Sequence, residues 1–178
     1  MTRITSMATS VAAAIVLVAA SSVPGYAQAT LANKRTYLTF SAPVQVPGAT
    51  LPAGRYLFQL ADPAAQTTWQ VFDASGRHLI ASFFYVPTGN RSIPEINAAD
   101  GKPVVRFHET PQGTPPAVRV LFYPSDRTGN LFVYPRAQAE QIAAVTHQPV
   151  LATDSNALAG GVPTIVTIGT ETDAANNP

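Results

Sequence analysis

Leu51-Pro52-Ala53-Gly54-Arg55-Tyr56-Leu57-Phe58-Gln59-Leu60 is the stretch that decides the fold. Proline presets the backbone of a turn and glycine supplies freedom at its exit, so Pro52-Ala53-Gly54 reads as a reversal into Arg55–Leu60. Within that run Tyr56, Phe58 and Leu60 share one face and Arg55 and Gln59 the other, the alternation of a half-buried strand. Runs of the same kind recur outward in both directions: Thr36–Phe40, Pro43–Val46, Thr68–Phe72, Leu79–Val86, Val104–Glu109, Val118–Tyr123 and Leu131–Tyr134. The chain's 16 prolines fall mostly between these runs and leave little room for helices. Asp73-Ala74-Ser75-Gly76 precedes Leu79, and Ser125 to Asn130 precede Leu131, both with turn chemistry.

Leu79–Val86 differs from its neighbours in being apolar on both faces, as a central strand covered on each side would be. One helix is predicted, over Arg136–Thr146: Pro135 suits a first turn, Ala137, Ala139, Ile142, Ala143 and Val145 recur at roughly helical spacing, and Pro149 follows the end. The expected fold is all-β, a sandwich or partly open barrel of seven to eight short strands with this C-terminal helix packed on it.

The ends carry different signals. Residues 1–29 combine Arg3, an apolar run from Val11 to Ala20, Pro24-Gly25 and small residues at Ala27 and Ala29, the pattern of a secretory signal peptide cleaved after Ala27 or Ala29, with Ala29 favoured. A ten-residue apolar run is too short to span a ~30 Å hydrocarbon layer, and no later stretch reads as a spanning helix, so no integral membrane segment is expected after cleavage. Residues 30–150 are expected to form the β domain, and 151–178 a mostly disordered acidic tail, since no lysine or arginine follows Arg136 while Asp154, Glu171 and Asp173 do. Val162–Ile168 is the exception, with β propensity to add to a sheet edge or to a partner. The protein is therefore expected in the periplasm or outside the cell. An outer-membrane barrel is disfavoured, because its strands need ~10 alternating residues each.

Composition narrows the chemistry. Eleven basic residues stand against ten acidic ones, which gives no electrostatic footprint for nucleic acid. The absence of cysteine removes disulfides and thiolate chemistry. His78, His108 and His147 lie too far apart to make a metal motif, so neither metal nor cofactor is expected. Ser75 between Asp73 and His78 has the residue types of a hydrolytic relay, but five residues of turn give them their usual turn role instead. No G-x-S-x-G elbow is present, and no catalytic residue is assigned.

The most informative polar grouping lies on the predicted hairpin of Val104–Glu109 and Val118–Tyr123. If Val105 and Phe107 share the core face with Val118, Val120 and Phe122, then Arg106, His108, Arg119 and Tyr123 gather with Leu121 on the other. Two arginines and a histidine together need an anion. Glu95 or Asp126 is the internal answer, a carboxylate, sulfate or acidic sugar the external one; Arg106, His108, Arg119 and Tyr123 are the candidate ligand-binding residues.

Asn33 to Thr36 with Phe40 to Gly48, Leu51-Pro-Ala-Gly54-Arg-Tyr56-Leu-Phe58, Phe122-Tyr-Pro and Phe132-Val-Tyr-Pro135-Arg136 resemble small secreted bacterial proteins of unassigned function. The resemblance covers residues 33–147, rests on the Leu-Pro-Ala-Gly-x-Tyr and Phe-Val-Tyr-Pro elements, and implies export and β architecture without site residues. The leading expectation is a non-catalytic envelope or secreted binding module for protein or glycan, through a sheet face or Val162–Ile168. A secreted hydrolase and a small carrier of an apolar ligand are the alternatives.

Overall fold

A computed structural model describes residues 34–61, 67–124, 126–159 and 162–169; the predicted leader lies outside them. The elements run β1 (Arg35–Phe40), β2 (Val44–Val46), β3 (Ala49–Leu51), β4 (Gly54–Leu60), β5 (Thr68–Phe72), β6 (Leu79–Asn90), α1 (Ile93–Ala98), β7 (Val104–His108), β8 (Ala117–Phe122), β9 (Thr128–Phe132), β10 (Tyr134–Pro135), α2 (Arg136–Thr146), β11 (Val150–Thr153) and β12 (Ile165–Ile168). The chain is mostly β, an open sandwich-like arrangement rather than a closed barrel.

The strand order of the larger sheet is β1-β4-β5-β6-β9-β8-β2-β3, with β7 added on β8. Its two layers are joined by one strand. β6 pairs with β5 through Leu79 to Phe84 and with β9 from Tyr85 to Asn90, so it crosses from one layer to the other. This explains its apolar character on both faces: consecutive Phe83 and Phe84 are both buried, which alternation permits only if both sides are covered. The inner faces meet at Phe83 and Phe132, ring centroids 4.5 Å apart, and the core continues through Phe58, Trp69, Val71, Val118 and Leu121. β6 runs past the predicted Val86 because Pro87 is accommodated opposite Asn130 before the ladder bulges at Thr88/Asn90.

Turn and close-packing residues account for the local geometry. Gly76 adopts φ +71° in the β5–β6 turn, where Asp73 Oδ1 accepts from Ser75 Oγ at 2.8 Å and from the Arg77 amide at 3.1 Å. Gly129 is required by contact: a Cβ there would lie 2.6 Å from Val120 and 2.7 Å from Phe122. Behind the Leu51-Pro-Ala-Gly-x-Tyr element, the Tyr56 hydroxyl donates to the Pro52 carbonyl at 2.9 Å, closing the turn it follows.

The predicted helix is present with the same bounds, burying Ala139, Ile142 and Ala143 and ending at a left-handed His147. Its seat is a second, three-stranded sheet, β10-β11-β12. The predicted Leu131–Tyr134 run is broken at Val133, leaving Phe132 in β9 and Tyr134 in β10, so the strand changes sheets there. Tyr134 is wholly buried and donates its hydroxyl to the Val118 carbonyl at 2.7 Å, which anchors the small sheet to the large one. Gln138 of α2 adds a second tie, accepting from the Gly48 amide and donating to the Val46 carbonyl.

The boundary expected at residue 150 is corrected by this sheet. β11 begins at Val150, β12 pairs with it in antiparallel register, and Asp154, expected in the tail, is held by Arg136 through Nε and Nη2 at 2.7 to 3.0 Å. Val162–Ile168 does supply a strand to a sheet edge, from Ile165 onward. Residues 170–178 of the expected acidic tail lie outside the described residues.

Candidate binding groove

The predicted site hairpin forms as β7 and β8, but its register differs from expectation. Arg106 pairs with Val120 and Phe107 with Val118, so Arg119 is an extra residue in a β-bulge. Beyond it the faces exchange. Val105 and Phe107 share a face with Leu121 and Val118, while Val120 and Phe122 lie with Arg106 on the opposite side. Val118, Val120 and Phe122 are buried as expected, but so is Leu121, expected on the other face, while Phe107, expected in the core, is exposed; an unbroken ladder would have kept Val120 and Phe122 on the face of Val105 and Phe107.

The four candidate residues are consequently separated. Arg106 is exposed, donates to Glu95 Oε1 at 3.0 Å and lays its guanidinium 5.1 Å from the Phe122 ring centroid. Glu95 is also held by the Ser92 amide and hydroxyl, which keep its carboxyl below the usual range. His108 is 2% exposed and bonds through Nδ1 to Gln148 Oε1 at 3.2 Å; burial first, and then Arg119, hold its imidazole below its usual pKa against the opposing Gln148 bond. Arg119 stands exposed on the bulge. Tyr123 is half-buried and donates its hydroxyl to the Arg35 carbonyl at 3.2 Å, bridging to β1. Arg106 thus receives the internal answer, and Asp126 pairs instead with Lys34.

A different arginine is the buried one. Arg91, 3% exposed, donates to the carbonyls of Asp126 and Tyr123 and stacks 4.9 Å over Phe122. It follows the end of β6 and leads into α1, whose Ser92-x-x-Glu95 capping box and Pro94 were a legible helix start. That signal marks Glu95, whereas the burial of Arg91 follows only from the tertiary packing.

What the bridge from Tyr123 to Arg35 frames is a groove of about 410 Å³ between β1 and β7. Tyr37, Leu38 and Phe40 line one wall, and Lys102, Val105 and Phe107 the other. Among the described residues both strands are paired on one edge only: β1 to β4 and β7 to β8. Phe40 meets Phe107 edge to face at 6.5 Å. Because Arg35 lies beside Tyr123, next in chain to the Phe122 that pairs with Val104, while Phe40 lies beside Phe107, the two strands run in the same direction across the gap. Tyr37 is 44% and Phe107 36% exposed, an apolar presentation at two neighbouring unpaired edges.

Other features carry less chemistry. A cleft of about 420 Å³ at the start of α2 is bounded by Ser82, Phe84, Val133, Arg136 and Asp154, but its cation is spent on Asp154. In the β5–β6 turn His78 Nδ1 lies 2.9 Å from Asp73 Oδ2, yet the Ser75 hydroxyl donates to Asp73; the serine-to-base link of a hydrolytic relay is not made there. Asp73's carboxyl is held far below its usual range chiefly by His78 and Ser75, as a turn cap would be. Among the described residues no cluster of three or more metal-binding side chains occurs, and no helix is long and apolar enough to cross a membrane. Comparison with family models, with curated proteins and with solved structures gives no match.

Proposed function

We propose that the chain is a secreted, non-catalytic binding module that engages a protein or glycan of the cell envelope at the groove between β1 and β7. The observation that carries this reading is the pair of unpaired strand edges facing one another with aromatic side chains exposed between them. The signal-peptide pattern of residues 1–29 supports the compartment. The test uses mature protein, from residue 30, immobilised and exposed to solubilised envelope, with Phe107→Asp and Tyr37→Ser as comparators of matched thermal stability. A partner retained by the parent, released chemically unchanged and lost from both variants supports the proposal. Equal retention by all three, or release of a cleaved product, contradicts it.

A further inference from the structure

We propose that the occupant of the groove is an extended polypeptide segment of alternating acidic and apolar residues, added as a strand to the open edge of β1. This rests on the binding-module reading and names its partner. The backbone supplies the first argument. The Leu60 amide bonds to the Lys34 carbonyl at 3.0 Å, and the β1–β4 register is antiparallel from Arg35↔Gln59 to Phe40↔Gly54. Pairs alternate between bonded and non-bonded in such a ladder, so Thr36, Leu38 and Phe40 spend their amides and carbonyls on β4, while Arg35, Tyr37 and Thr39 direct theirs outward. The Tyr123 hydroxyl takes the Arg35 carbonyl. Tyr37 and Thr39 therefore present donors and acceptors at strand spacing, a pattern that a peptide matches and a sugar chain does not.

The opposite wall supplies the second argument. Lys102, Val105 and Phe107 face the open edge, so an added strand finds apolar contact for alternate side chains on one side of its pleat. Charge supplies the third. Lys102 lines the groove, and Lys34, Arg35 and Arg55 lie on or beside β1. Asp126 and Asp100 answer Lys34 and Lys102, whereas Arg35 and Arg55 have no carboxylate partner among the described residues. Arg55 is stacked 4.0 Å over Tyr37, which places its charge beside the outward-facing backbone. A second copy joined antiparallel through β1 would gather Arg35 and Arg55 of both copies along one short seam with no carboxylate between them, which disfavours self-pairing.

The experiment is fluorescence anisotropy of mature protein with a nine-residue alternating Glu/Val peptide. The comparison probes are the same peptide N-methylated on alternate amides, a Lys/Val peptide and a sulfated oligosaccharide. Binding of the Glu/Val peptide, weakened at least tenfold by N-methylation in one of the two alternate phases and by Arg35→Glu with Lys102→Glu, and absent for Lys/Val, is the expected result. Thermal melts of the charge variant are run alongside; should it fail to fold, the N-methyl comparison on the parent decides. Equal binding of both N-methylated phases and the parent peptide, or binding of the oligosaccharide alone, overturns strand addition while leaving a groove-binding module standing. If no probe binds while Phe107→Asp still abolishes envelope capture, the peptide proposal fails and the broader one survives. If capture too is indifferent to Phe107→Asp, both fail.

Discussion

Phe107 and His108 are consecutive in β7 and belong to opposite sides of the molecule's economy. Phe107 is 36% exposed at the mouth of a gap between two unpaired strands, while His108 is 2% exposed beneath Gln148 and beside Tyr134. The side closed by α2 and β10-β11-β12 satisfies its polar groups internally, through Tyr134 to Val118 and Gln138 to the β2–β3 turn. The side between β1 and β7 leaves backbone groups and aromatic surface to solvent. A sheet that covers one margin with a helix and a small second sheet, yet leaves another margin bare, concentrates its capacity for interaction at the bare one. The same comparison separates stability from binding and predicts that substitutions sort accordingly.

On the closed side, Tyr134→Ala should have the largest effect. By analogy with other buried aromatic truncations it costs about 3–5 kcal/mol, read as a loss of chemical-denaturation stability, and Tyr134→Phe should cost about 1 kcal/mol for the Val118 hydrogen bond. Equal effects of the two would mean that the ring does not fill the core. Gly129→Ala comes next: with Val120 and Phe122 inside 3 Å of the new methyl, overpacking of about 1–3 kcal/mol is expected.

The pH dependence on the closed side has a definite sign. His108 has a folded-state pKa lowered by burial, so below its unfolded value near 6.5 the unfolded chain binds a proton more readily. Stability contributed by the neutral imidazole is therefore present above that pH and is lost progressively as pH falls towards the folded pKa. Denaturation midpoints of the parent should decline from pH 7 to 5 more steeply than those of His108→Gln, and parallel curves would remove His108 from the account. On the open side, Phe107→Ser should change stability by less than about 1 kcal/mol while abolishing partner capture. A multi-kcal loss would make Phe107 a core residue.

Much of the closed architecture is legible in the residues, because its signals are local. The alternation of Arg55–Leu60, the turn glycines and the helix from Arg136 to Thr146 each follow from a few consecutive side chains. The β7–β8 face assignment is not legible, since a bulge at Arg119 exchanges Leu121 with Val120 and Phe122 without any distinctive residue to announce it. Nor is β11, a four-residue run after Pro149 whose partners come from β10 and β12 on either side of α2. The groove combines both limits: Tyr37 and Phe107 read as ordinary strand residues, and only the order of strands shows that no described segment pairs between them.

Amide hydrogen exchange along β1 bears most directly on whether that edge is open. In the unliganded protein the amides of Tyr37 and Thr39 should exchange much faster than those of Thr36 and Leu38, which bond to β4. Uniform slow exchange across all four would mean that the edge is already paired, and the binding groove would not exist.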